Sequence, residues 1–226
     1  MAKPSGGPDR AEKKRMVRRS ICDAALRLSS IKGFSGLSLR EITREAGIAA
    51  PSFYNHFTDL EDLGLAIIDE AGVTLRQLLR RARKTTTSGE SVVRRSVETF
   101  DSYLRNNAEL FHFLFAERVG GTRAFRLAIE REMGHIIEDY AEALAEASAS
   151  INRPIAHPLY VADLIVNCAF NAGAEVLSTD ESKRNEIGER AITQIRIIMY
   201  GAEMLAAKAS RRDINESENA LSSDAE

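Results

Sequence analysis

The residues of this 226-residue chain with most to offer catalysis or metal binding are His56, His112, His135 and His157, with Cys22 and Cys168. They are scattered. No Cys/His pair has zinc spacing, and neither a glycine-rich phosphate loop nor a nucleophile elbow accompanies them. Only His112 and His135 could meet in one site, so a helical enzyme is the distant reading. Both cysteines lie inside apolar helical patterns, which suits buried thiols in a reducing compartment better than a disulfide. The chemistry that remains is ionic. The run "RAEKKRMVRR", Arg10 to Arg19, sets six cations against one anion, and residues 1–60 hold eleven Lys/Arg against six Asp/Glu. The rest of the chain holds twenty against twenty-seven, so the net charge of -2 conceals a basic end. Such a density attracts polyanions by releasing their counterions; a solvated helix face is the competing reading.

A second stretch, "REAGIAAPSFYNHF" at residues 44–57, ends with four ring-bearing residues in its last five. The spacing around it predicts two short helices and a tight turn. Ser38-Leu-Arg-Glu41 forms a capping box that starts one helix, Gly47 turns the chain, and Pro51 suits the first turn of the next. A first helix over about Ala11–Ser30 and a fourth opened by a second box, Thr58-Asp-Leu-Glu61, and running to about Arg83 must clamp the pair, because helices of two turns do not hold alone. Residues 38–57 thus read as a helix-turn-helix. Ile42, Ala46, Ile48 and Phe53 face inward, while Ala49, Ala50, Ser52 and Asn55 face out. In this motif the second helix enters the major groove of DNA and its first residues meet base edges.

The segment "LSLREITREAGIAAPSFYNHFTDLEDL" resembles the DNA-binding segment of TetR-type transcriptional repressors, over about the first third of the chain. More narrowly, "LGLAIIDEAGVTLRQLLRRAR", "ERVGG" and "FNAGAE" resemble the FabR and DesT branch of that family, which represses unsaturated fatty-acid synthesis. The resemblance implies repression of lipid genes and a response to long-chain acyl-CoA, with no cofactor; another hydrophobic effector, governing an efflux or catabolic operon, is the alternative. By the same resemblance Arg40 reaches a base edge, where arginine can grip guanine. Ala49, Ala50, Pro51 and Ser52 open the recognition helix, Asn55 faces outward later on it, and Tyr54 and His56 approach phosphates or sugars. Thr43 and Arg44 are expected phosphate contacts from the preceding helix. Many members carry a lysine near the start of the fourth helix where this chain has Leu60; the fatty-acid branch tends to lack it too.

Downstream, "ETFDSYLRNNAELFHFLFAERV" is apolar nearly all round, as a helix is when it is core or lines a cavity. With the resemblance it predicts an effector pocket walled by Phe100, Leu104, Phe111, Leu114, Phe115, Phe125, Met133, Ile137 and Phe170. Arg118 is expected at its mouth with Arg123 and Arg126, since a thioester's nucleotide end needs cations. The last two helices, about Pro158–Leu177 and Glu181–Ala209, are expected to pair with their copies through Ala169, Gly173, Ile192, Ile195, Ile198, Met199 and Leu205. Two recognition helices about 34 Å apart would then meet a palindromic double-stranded operator.

The expectation is therefore an all-α chain of about nine helices. Residues 1–9 form a disordered basic arm, 10–57 the helix-turn-helix domain, 58–83 a connecting helix, 84–209 the effector and dimerisation domain, and 210–226 a disordered tail. With no apolar leader and no run of about 18 apolar residues, a cytoplasmic homodimer without a membrane role is expected.

Overall fold

The computed structural model describes residues 9–84 and 89–223, and among these it contains nine α-helices and no strand. The expected arm, apart from Asp9, and residues 224–226 of the expected tail lie outside the described residues. The helices are α1 (Arg10–Lys32), α2 (Leu39–Glu45), α3 (Ala50–Tyr54), α4 (Leu60–Lys84), α5 (Gly89–Asn106), α6 (Ala108–Gly120), α7 (Arg123–Ser150), α8 (Pro158–Ser178) and α9 (Glu181–Ser223). One short 3-10 turn, Phe34–Gly36, follows α1.

Two compact units divide the chain. The first comprises residues 1–73 and 106–132, the second residues 74–105 and 133–226. In the first, aromatic rings and branched side chains fill the core: Ile21, Ile42, Phe53, Phe57, Leu63 and Ile68 are buried. Phe34 meets Phe113 and Phe125 with ring centroids 5.0 and 5.4 Å apart. In the second, Val161, Ala162 and Ile165 of α8 pack with Ile192, Ile195 and Ala202 of α9.

Three local departures have physical causes. The apolar run expected as one helix breaks at Asn107 (φ -132°, ψ 40°), a residue type with low helix propensity. Its two halves go to different units, α5 to the second and α6 to the first. The cap of α4 is shifted one residue from the expected Thr58/Glu61 box: Asp59 Oδ1 accepts from the Asp62 amide at 2.8 Å, and Asp62 Oδ2 accepts from the Thr58 amide at 2.8 Å. Aspartate caps as well as threonine and adds a charge at the positive helix end. Finally, α9 continues to Ser223 through most of the expected tail; after Gly201 the chain holds neither Gly nor Pro to stop it.

By length and composition alone α8 could cross a membrane. A core or partner-facing helix passes the same test, and Asp163, Asn167, Asn171 and Glu175 recur along this one; it is no membrane sign.

Candidate nucleic-acid interface and apolar cavity

The helix-turn-helix is built by short-range chemistry. Ser38 caps α2 with a reciprocal box, its backbone amide donating to Glu41 Oε2 at 3.0 Å and its hydroxyl accepting from the Glu41 amide. Lys32 Nζ donates to Glu41 Oε1 at 2.6 Å, and this contact with the Ser38 bonds pulls the Glu41 carboxyl down to about 2. Gly47 turns the chain at φ +69°, a conformation that costs other residues strain. Ile42 and Phe53 are fully buried behind the turn. They hold α3, five residues long, at a length that has no stability of its own.

On the outer side Arg40, Arg44, Ala49, Ala50, Pro51, Tyr54 and Asn55 are exposed, and Ser52 is half-buried. Tyr54 leans its ring edge-on against Phe53, 5.7 Å between centroids, yet 62% of it remains open. Alanines at the start of α3 give it a small side-chain profile where a close approach is needed. Thr43 departs from expectation. It is 5% exposed, and its hydroxyl donates to the Arg40 carbonyl at 3.2 Å. A hydroxyl on the inner face of α2, bonded within its own helix, cannot reach a phosphate.

The structure adds residues that no single motif marked. Lys14, Arg15 and Arg18 of α1 line a groove of about 330 Å3 with Asn55 and His56. The charge run at Arg10–Arg19 was the signal; which of its cations reach the motif needed the packing of α1. Arg18 anchors the groove floor: it binds Glu70, stacks 4.5 Å from the Phe57 ring centre, and donates to the His56 carbonyl at 3.5 Å. His56 is half-buried, and its Nδ1 is buried without a hydrogen-bond partner. Burial, with Lys14 and Arg18 nearby, pushes its pKa down.

An apolar cavity of about 80 Å3 lies in the second unit, between α4, α5, α7, α8 and α9. Of the expected wall, Phe100, Met133 and Phe170 line it. Leu104 sits beside Phe100 over Gly173, and Ile137 packs on the neighbouring core. Phe111, Leu114, Phe115, Arg118 and Phe125 belong to the first unit and do not line it; the break at Asn107 separates them. There Phe111 packs on Phe115 at 5.9 Å, Phe125 packs on Phe34, and Arg126 donates to the Gly121 carbonyl. Leu75, Leu79, Val97, Tyr140 and Ile165 complete the lining. Ser96 brings a buried hydroxyl beside the Tyr140 phenol.

The small-residue stripe of α8 also turns inward. Ala169 lines the cavity, and Gly173 lies against Leu104 and Phe100. Ile192 and Ile195 are spent in the core of the second unit, with Ile198 and Met199 packed against it. The exposed apolar side chains of α8 and α9 are instead Leu164, Ile197, Met204 and Leu205, together with Leu159, Tyr160 and Tyr200.

Among the described residues no group of His, Cys, Asp and Glu is placed to hold a metal ion. Cys22 is buried, its thiol pushed up to about 12, chiefly by that burial.

Comparison with known proteins fits this geometry. Residues 21–67 match the family described as bacterial regulatory proteins, tetR family. Reduced E. coli NemR is similar in structure at a TM-score of 0.66 and 20% identity, over 81% of this chain and 97% of that one. The fatty acid degradation regulator FadR from Bacillus halodurans gives 0.70 at 15% identity, over 86% and 96%. A TetR-family transcriptional regulator from Syntrophomonas wolfei gives 0.73 at 13%, over 82% and 96%. At such identities these likenesses establish the fold.

Proposed function

We propose, from the premise that this chain is a TetR-family regulator and hence a DNA-binding protein rather than an enzyme, that it is a homodimeric repressor of a palindromic operator whose affinity is set by an apolar ligand. One observation carries the DNA half: Arg40, Arg44, Tyr54 and Asn55 stand exposed on a single two-helix element beside the Lys14–Arg15 groove. Arg40, Ser52 and Asn55 read base edges, since the alanines and Pro51 offer no side-chain hydrogen bond. Arg44, Tyr54, His56, Lys14 and Arg15 hold phosphates. Contacts from Ala49 and Ala50 to thymine methyls and the shape of the duplex supply further discrimination.

The effector is hydrophobic and occupies the cavity lined by Phe100, Met133 and Phe170. Long-chain acyl-CoA is the first candidate, on the resemblance of "LGLAIIDEAGVTLRQLLRRAR" and "FNAGAE" to the fatty-acid branch. At about 80 Å3 the cavity is well below the roughly 300 Å3 at which ligand sites begin, so binding must widen it. That small volume also favours a second reading, a compact hydrophobic effector. Either ligand acts only through different affinities for the operator-competent and incompetent arrangements of the dimer. Leu164, Ile197, Met204 and Leu205, exposed on α8 and α9, form the face that meets a second copy.

The test is a binding assay on the promoter beside the protein's own gene, at several salt concentrations, with and without palmitoyl-CoA and oleoyl-CoA. A steep fall of affinity with salt, a preference over random DNA and a shift on adding either thioester are expected. Absence of any preference for that promoter or for other operator candidates would overturn the DNA half. Specific binding that no hydrophobic compound shifts would overturn the effector half alone.

A further inference from the structure

The first two turns of α1 overhang the core that the rest of the helix packs on. Residues 10–16 are all exposed, whereas Ile21, Ala24 and Ala25 are fully buried. The two stretches share a face. Eleven residues make three helical turns to within about 20°, so Arg10, Lys13 and Lys14 continue the stripe of Ile21, Ala24 and Ala25. The stripe that meets the core thus begins, about 17 Å earlier along the helix, as three exposed cations. The one acid of the run, Glu12, falls half a turn away from Ile21, on the opposite side. Solvation alone would not sort the charges by face.

Pairing divides the cations in the same way. Arg18 and Arg19, where the helix joins the core, pair with Glu70 and Asp23. No carboxylate among the described residues pairs with Arg10, Lys13, Lys14 or Arg15. The groove of about 330 Å3 joins this overhang to the helix-turn-helix, with Lys14 and Arg15 on one wall and Asn55 and His56 on the other. His56 Nδ1 is buried there without a hydrogen-bond partner. Lys14 belongs both to the groove and to the cationic stripe, so a phosphate chain passing His56 meets Lys14 first and Arg10 beyond it. Lys14 and Arg10 are four residues apart, about 6 Å along the helix, which matches the rise of about two nucleotides of one strand.

We infer that the overhang of α1 is a second clamp on the duplex, independent of base sequence: Arg10 and Lys13 hold backbone phosphates that lie beyond the one beside His56, outside the base pairs read from α2 and α3. The partner it fits is the sugar-phosphate backbone of double-stranded DNA, by charge and by continuity with the groove. The inference rests on the reading of α2–α3 as the DNA-binding element and adds two residues and a stretch of backbone to it.

A thermodynamic cycle tests it, using the full chain and duplexes of the promoter beside its own gene that carry one neutral methylphosphonate at successive backbone positions. Melting curves show that each variant is folded. Arg10→Gln and Lys13→Gln should each lower the salt slope by about 0.9 per subunit, on this promoter and on random duplex alike. Wild type should lose about fivefold to tenfold in affinity at 0.1 M salt when a clamped phosphate is neutralised. Each variant should be indifferent to one such position while responding like wild type at the others. A lowered salt slope with no phosphate at which variant and wild type differ would overturn the clamp and leave only a diffuse basic field. Variants that match wild type in both readouts would remove Arg10 and Lys13 from the interface. Wild type that does not prefer the promoter to random duplex would instead overturn the reading of α2–α3 on which the inference rests.

Discussion

Arg18 of α1 donates to a single oxygen of Glu70 on α4 through two nitrogens, Nε at 3.0 Å and Nη2 at 2.7 Å. The same guanidinium stacks on Phe57 and reaches the His56 carbonyl. One side chain thus ties the first and fourth helices to the end of the helix-turn-helix. Exposed ion pairs contribute about 0–1 kcal/mol, and a cation over an aromatic face about 0.5–1. Arg18→Ala should therefore destabilise the fold by about 1–2 kcal/mol, read as an earlier urea midpoint at unchanged slope. Glu70→Gln, which spares the stacking, should cost less than half as much. Equal costs would show that the ion pair rather than the stacked guanidinium holds the corner.

Arg40 and Arg44 share α2 and are both exposed, but the proposed roles differ and their variants should separate. Arg40→Ala should cost about 1–3 kcal/mol on the operator and relax its preference at one base pair. Arg44→Ala should weaken operator and random DNA alike and lower the salt slope by about one. Competition assays with random duplex at two salt concentrations measure both. An equal loss on both DNAs for Arg40→Ala would move that residue from base reading to phosphate holding.

The proposed phosphate contact at His56 predicts that binding depends on pH. Its pKa is lowered first by burial and then by Lys14 and Arg18, so the folded protein resists protonation that the unfolded chain accepts. The unfolded state binds more protons below about pH 6.5, and stability therefore falls as pH drops through that value, levelling off below the depressed folded pKa. A phosphate seated beside Nδ1 reverses the sign by favouring the charged ring. Operator affinity should then rise between about pH 7.5 and 6 with uptake of up to one proton per subunit, seen as a buffer-dependent heat on titration. His56→Gln should flatten that profile; an unchanged profile would place the titrating group elsewhere.

The parts of this molecule that were legible from residues alone are those made by neighbours in the chain. Ser38 and Glu41 cap as their spacing demands, Gly47 adopts the left-handed turn, and Ile42 and Phe53 face inward. The cap at Asp59 instead of Thr58 shows the limit of such signals, since two acceptors stood side by side and geometry selected one. Non-local placement was not legible. Phe100 and Phe111 belong to one aromatic run, yet a one-residue break at Asn107 sends the first to the cavity and the second to the other unit's core. Periodicity likewise names an apolar face on α9 without saying what covers it: Ile195 is buried in the chain's own core, while Ile197 is 67% exposed. Thr43 carries the same lesson, because its register on α2 decides between solvent and core and its residue type permits either.

The exposed stripe makes a prediction about assembly. Replacing Ile197 with arginine puts a charge on a face that would otherwise meet its copy, and burying an unpaired charge costs several kcal/mol. Light scattering should show Ile197→Arg as a monomer at micromolar concentration, with operator binding reduced by more than about a hundredfold because one half-site alone remains in reach. Ile192→Arg should instead fail to fold, since Ile192 is 3% exposed within the core. A dimeric, operator-competent Ile197→Arg protein would remove this face from the interface.

Gly173 supplies the last test, and it connects packing to the ligand. A Cβ built there would lie 2.6 Å from Leu104 Cδ1 and 2.9 Å from Phe100 Cε1, both inside the closest contact that side chains make. Neither neighbour yields freely, because Leu104 is fully buried and Phe100 lines the apolar cavity. Overpacking of this kind costs about 1–3 kcal/mol, so Gly173→Ala should lower the melting temperature by several degrees. Relief must come from the Leu104 side chain or the Phe100 ring, and a shift of the ring reshapes the cavity. Ligand affinity in Gly173→Ala should consequently change by more than about threefold, whereas Arg40-dependent recognition of base sequence on the operator should keep its preference. A variant as stable as wild type with unaltered ligand binding would mean that α5 and α8 separate more readily than their packing indicates.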